Sequence, residues 1–173
     1  MLVQESSFSE IIALGEDRVG KHLELYAKNY VELVLLRDLK SYEATVNFYA
    51  YEHYTHVMLA DGYHLLHARL QGLGDWSWLL AGLFPNSRRV QYVGSRYYID
   101  MSIMAYSRLV SIGGMESDVF RLLARQVPLI VAVLASLRDV KKIVEHDIRQ
   151  AMDDMEVSID NPMRSVFKKI PVY

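Results

Sequence analysis

The sequence predicts an all-α fold: a four-helix bundle, ferritin-like and up-down, with a short extra helix between the second and third long helices. Three observations carry that expectation. Apolar residues recur at helical spacing through four long segments. Glycine and proline gather between those segments. No stretch alternates apolar and polar residues as a half-buried strand would, and there is no internal repeat.

In the first segment, about 7–39, Phe8, Ile12, Val19, Leu23, Tyr26, Tyr30 and Leu33 mark an apolar stripe. Ser7 and Glu10 have the spacing of a capping box at its start, and Gly15 and Gly20 weaken its middle, with a break expected near Gly15. Ser41 is the expected N-cap of a second helix reaching Leu70, with Gly72 and Gly74 as its stop. Its core face is expected to carry Ala44, Phe48, Tyr51, Met58, Leu59, Leu65 and Leu66. Asp75 then reads as the cap of the short helix, 76–84, which Pro85 and Asn86 end. A third long helix is expected over 88–112, closed by Gly113 and Gly114. A fourth runs from Glu116 or Ser117 towards Val157, with a break or kink at Pro128, where a backbone donor is lost. The domain spans 1–162, and 163–173 forms a C-terminal tail. Arg164, Lys168 and Lys169 of that tail are expected to offset the acidic end at Asp153, Asp154, Glu156 and Asp160.

At 173 residues, 51% hydrophobic and 23% charged, the chain has enough apolar material for one core. It has no cysteine, which removes disulfides, thiol chemistry and cysteine–zinc sites. A net charge of −2 offers no electrostatic case for nucleic acid. The first residues show no basic, apolar leader, and the longest apolar run, Val127 to Leu137, is shorter than the about 20 residues a span needs. A cytoplasmic protein with no membrane contact is therefore expected. No Walker A, G-x-G-x-x-G, H-E-x-x-H or G-x-S-x-G motif occurs, so no cofactor is expected and catalysis has no support from motifs.

The most unusual local feature is histidine. His53, His56, His64 and His67 lie within one predicted helix. At 100° per residue they share one stripe with Tyr49 and Ala60. Imidazole is a common metal ligand, and Asp61 adds a carboxylate one turn before His64, so these five residues are the candidate metal ligands. The two histidine pairs stand roughly 16 Å apart along the axis, so one ion cannot bridge both. The alternative is a polar face that packs on another surface. A di-iron centre needs Glu-x-x-His pairs, and none occurs. On the third helix Arg89, Tyr92 and Arg96 share a face suited to a phosphate or carboxylate ligand; Arg96 is also placed to pair with Asp100.

The helix layout, with Ser95-Arg96-Tyr97-Tyr98-Ile99-Asp100 in the third helix, resembles a group of small archaeal proteins with a ferritin-like arrangement, close in fold to the cobalamin adenosyltransferases. That resemblance implies the fold and not the activity, because the glycine- and threonine-rich phosphate segment of those enzymes has no counterpart in residues 1–10. Phe48 to Glu52 with Arg96-Tyr97 is similar to HEPN-type helical domains, but the ribonuclease spacing of arginine and histidine is not met at Arg18 and His22. The function expected is association, as a homo-oligomer, through the tyrosine–histidine stripe with Val46, Tyr49, Ala60 and Tyr63. The alternatives are a nucleotide or other anion binder using the third-helix arginines, and a histidine metal site.

Overall fold

The computed structural model describes residues 2–38, 58–85, 90 and 93–140. Five helices make up the described architecture: α1 (Leu2–Val19), α2 (Leu25–Asp38), α3 (Tyr63–Leu83), α4 (Ser95–Ile112) and α5 (Ser117–Ser136). The fold is an all-helical bundle, with no strand among the described residues.

The short connection at Gly113 and Gly114 turns α4 directly into α5. Tyr63, at the start of α3, bonds to Gly113 at the end of α4, and Gly74 in mid-α3 meets Ser102 and Tyr106 in mid-α4. The two helices therefore run antiparallel. His67 meets Phe120 and Gly82 meets Leu134, so α3 and α5 run in the same direction. Around this up-down-up unit α1 and α2 pack, and α5 touches every other helix. That central role fits its pattern, with Phe120, Leu123, Val127, Ile130 and Leu134 buried along one stripe. By length and composition α5 is also apolar enough to cross a membrane, and 39% of that stretch is buried inside the protein.

Several expectations are corrected. The first segment is two helices. Its break falls at Gly20, where φ is +75°, and not at Gly15. Gly20 donates its N–H to the Glu16 carbonyl at 2.8 Å, the usual left-handed glycine close of a helix. Gly15 instead allows α1 to lie against α5, since a Cβ there would stand 2.8 Å from Val133 Cγ1. Ser7 lies inside α1, which starts at Leu2, so Ser7 and Glu10 do not form a cap there. Beyond the break the helical phase restarts. As a result α2 buries Ala27, Val31, Val34 and Leu35, while Tyr26 and Leu33 of the expected stripe face outwards.

The second and short helices are also redrawn. Residues 39–57 lie outside the described residues, which takes in Ala44, Val46, Phe48, Tyr49, Tyr51, His53 and His56. Met58 is helical, the chain turns between Leu59 and Gly62, where φ is +91°, and α3 then runs from Tyr63 straight through Gly72 and Gly74 to Leu83. The expected short helix 76–84 is the second half of α3, buried on all sides from Leu73 to Leu83. Met58, Leu59 and Leu65, placed on the core face by the sequence, are exposed. Gly74 survives mid-helix because α4 needs the space: a Cβ would sit 2.6 Å from Tyr106 Cε1. Of the expected third helix, Val90 and Val93 are helical and 88, 89, 91 and 92 lie outside the described residues; Gly94, at φ +87°, interrupts the helix before α4 begins at Ser95.

Pro128 causes no restart. It lies inside a continuous α5 with its ring on the exposed side, away from the core contacts that hold the helix. α5 also ends at Ser136, short of the expected 157. Two cationic side chains close it there: Arg138 bonds to the Ala135 carbonyl, and Arg18 bonds to the Ser136 carbonyl and to Asp139. The acidic stretch and the 163–173 tail lie outside the described residues.

The two glycines of α3 make opposite predictions. Gly72→Ala meets nothing within 4 Å and removes a poor helix former, so it should stabilise by up to about 1 kcal/mol. Gly74→Ala has to displace the fully buried Tyr106 ring and should destabilise by about 1–3 kcal/mol. Chemical denaturation of the two variants beside the parent chain checks both signs.

Candidate functional site

At the heart of the bundle α3 presents Asp75, which is completely buried. The sequence reads it instead as the cap of a short helix, 76–84. Its Oδ1 accepts from Tyr30 Oη at 2.7 Å and from Tyr106 Oη at 2.6 Å. Its Oδ2 accepts from Arg37 Nη2 at 3.0 Å. The network extends in two directions: Trp78 Nε1 donates to Tyr106 Oη at 2.7 Å, and Gln71 Nε2 donates to Tyr30 Oη at 3.0 Å. Ser102 Oγ bonds to the Gly74 carbonyl beside it. One carboxylate thus ties α2, α3 and α4 together.

Burial pushes the Asp75 carboxyl up from its ordinary 3.8 to about 6, although the hydrogen bonds from Tyr106, Tyr30 and Arg37 and the charge of Arg37 pull the other way. Burial, and then the charge of Asp75, push both tyrosine hydroxyls up as well, so they keep their protons and act as donors. Asp75 and Tyr106 are both fully buried, and the network joins the core faces of α2, α3 and α4.

A second buried carboxylate, Glu16, organises the α1–α2 corner. It accepts from the Leu23 N–H at 2.8 Å, ahead of α2, and pairs with Lys28 at 3.0 Å and with His22 at 3.3 Å. This contact fixes the reversal after Gly20.

In front of the Asp75 network a cleft of ≈ 300 Å³ opens between the start of α3 and the α4–α5 turn. Gln71 lines it and also holds Tyr30, so the cleft and the buried carboxylate share a side chain. Its aromatic wall is a row of rings. Tyr63 and His67 have centroids 5.9 Å apart, His67 and Phe120 5.5 Å, and Phe120 stacks on Tyr106 at 5.9 Å. Tyr63 Oη donates to the Gly113 carbonyl at 3.1 Å, which pins the rim. Glu116 carries a carboxylate into the same space, 4.0 Å from His67 Nε2.

The structure distributes the sequence candidates unevenly. His64 and His67 both line the cleft, His64 exposed and His67 half-buried, while Asp61 is exposed in the turn before α3. His53 and His56 lie outside the described residues. Among the described residues no three histidine, aspartate or glutamate side chains come close enough to hold a metal ion together. Arg96 pairs with Asp100 at 3.0 Å on an exposed face, the internal pair its spacing also allowed. Arg89 and Tyr92 lie outside the described residues. Asp75, Tyr30, Tyr106 and Gln71 were missed. A signal existed, since Asp75 is the only charge between Gln71 and Phe84, but it was assigned to a helix boundary that the fold does not have. The chain matches no family model, no curated protein and no solved structure.

The raised Asp75 value makes stability depend on pH. Between the ordinary value and about 6 the native state holds a proton that the unfolded chain has released. Stability is then greatest below about 4 and falls as pH rises through about 6, by up to about 3 kcal/mol from this group. Asp75→Asn keeps an oxygen for the two tyrosines, and the new amide faces Arg37, whose side chain is 55% exposed. Urea titrations at several pH values should show this decline in the parent and not in Asp75→Asn. Parallel profiles for the two would overturn the assignment.

Proposed function

We propose that the chain works by association, as a homo-oligomer built on the outer face of α2. The observation that carries this is the exposure of Leu25 (69%), Tyr26 (71%) and Leu33 (66%) on one helical face. At 100° per residue these three and the exposed Asn29 fall within an arc of about 100°. Leu25 and Leu33 stand four residues to either side of Asn29. A two-fold axis passing near Asn29 would set Leu25 of each subunit against Leu33 of the other, the self-complementarity that an isologous dimer requires. Facing asparagines at such an axis would fix the register by hydrogen bonding. Large apolar side chains repeated along one exposed stripe are the usual mark of a surface that another molecule covers.

In this reading the broken pair α1–α2 stands in for a fourth member beside the α3–α5 unit, which keeps the layout ferritin-like. A cytoplasmic setting suits a chain without cysteine. The tyrosine–histidine stripe supports association less well than α2 does, because His67 is turned into the cleft.

Light scattering coupled to size exclusion, at micromolar concentration, tests the reading. The parent should show twice the 20.0 kDa of one chain or a higher multiple. Leu25→Glu and Leu33→Glu alter exposed positions with good helix formers, so they should leave the fold intact and return the monomer mass. A monomeric parent chain would refute the proposal.

A further inference from the structure

We propose that the cleft between the start of α3 and the α4–α5 turn binds a small organic cation, an ammonium compound with a flat apolar body, through the rings of Tyr63, His67 and Phe120 and the carboxylate of Glu116. The volume, ≈ 300 Å³, lies at the lower end of small-molecule sites, so the ligand is small. Among the described residues the lining contains one carboxylate and no lysine or arginine. The rings do not lie in one plane: Tyr63 and His67 are tilted by 43°, and His67 and Phe120 by 69°. They therefore form a concave corner whose faces a cation can approach, the geometry of cation–π contact.

The N-terminus of α5 opens at the same place, and by itself it would favour an anion. Two observations decide against that here. The Ser117 N–H, one of those an anion would use, is already committed to the Gly114 carbonyl. Glu116 sits at the cap and Asp118 in the first turn, and Asp118 is neutralised by Arg121 at 3.0 Å while Glu116 stays in the cleft. An anion would meet the Glu116 carboxylate, whereas an ammonium group would pair with it. The 4.0 Å between that carboxylate and His67 Nε2 is too long for a hydrogen bond, so the carboxylate is not spent on His67 and can accept from a ligand N–H.

The site is held ready by the core behind it. Phe120 is buried and stacked on Tyr106, which Asp75 and Trp78 fix. Tyr63 is pinned through its hydroxyl to Gly113. Rings fixed before the ligand arrives lose little freedom on binding. This inference is independent of the α2 face and stands whatever the oligomeric state.

Three probes of one shape and different charge test it: 2-phenylethylamine, 2-phenylethanol and phenylacetate, each followed by amide chemical-shift titration of the full chain. The amine should bind tightest and move the Gly113, Gly114 and Glu116 amides. Glu116→Gln, at a side chain 68% exposed, should weaken the amine by about tenfold and leave the alcohol unchanged. Equal binding of the three probes, tighter binding of phenylacetate, no binding of the amine, or an amine affinity indifferent to Glu116→Gln would each overturn the proposal. Tyr63→Leu, which removes a ring from the rim and leaves the charge, should weaken the amine more than the alcohol; an unchanged amine affinity in that variant also overturns it.

Discussion

A carboxylate without water governs this fold. Asp75 has no exposed surface, and taking such a group out of solvent is costly unless its oxygens are met by donors. The donors it recruits come from two other helices: Tyr30 and Arg37 from α2, Tyr106 from α4. The demand for satisfaction therefore constrains the placement of those helices about α3, because a shift of α2 leaves Oδ2 unmet and a shift of α4 takes one of the two donors from Oδ1. The hydroxyls are themselves buried, so they in turn draw in Trp78 and Gln71. The chain of dependence ends at Gln71, where the network reaches the cleft, and at Arg37, where it reaches solvent.

Close backbone approach is the second constraint, and it explains why glycine misled at the level of sequence. Gly15 and Gly74 both sit inside helices, where glycine is a poor helix former. Each is there because a neighbour occupies the volume a methyl group would fill, Val133 for Gly15 and the Tyr106 ring for Gly74. A turn glycine and a packing glycine look the same in one sequence. Gly20 and Gly62 do turn the chain, and their positive φ is visible only once the backbone is.

Helical class was legible because it rests on periodicity, which tertiary structure seldom overrides over long segments. The starts and ends of α4 and α5 around Gly113 and Gly114 were legible for the same reason. The break at Gly20 was not, and that one displacement changed the reading of α2. A stripe traced through Tyr26 and Leu33 assumed continuous phase, but after the break the buried set is Ala27, Val31, Val34 and Leu35. Of the site, His64 and His67 were legible as a pair one turn apart, and they do share the cleft. The partners that give the cleft its character, Glu116 and Phe120, come from a helix some fifty residues later, and no local pattern links them to α3.

The energetic argument then runs outward from the core. Ala27, Val31, Val34 and Leu35 bury the inner side of α2, Tyr30 and Arg37 reach Asp75 from its flank, and Leu25, Tyr26 and Leu33 lie on the outer side. The helix is thus anchored from its inner side and flank, and its apolar outer stripe is not what holds it to the bundle. An apolar stripe that the fold does not use for its own packing is presented on a rigid support. The cleft is built on the same principle. Its floor, Phe120, is set by Tyr106, and Tyr106 is set by Asp75, so a ligand would meet rings whose positions were determined by satisfying a buried charge. Both surfaces owe their shape to that carboxylate, although neither touches it.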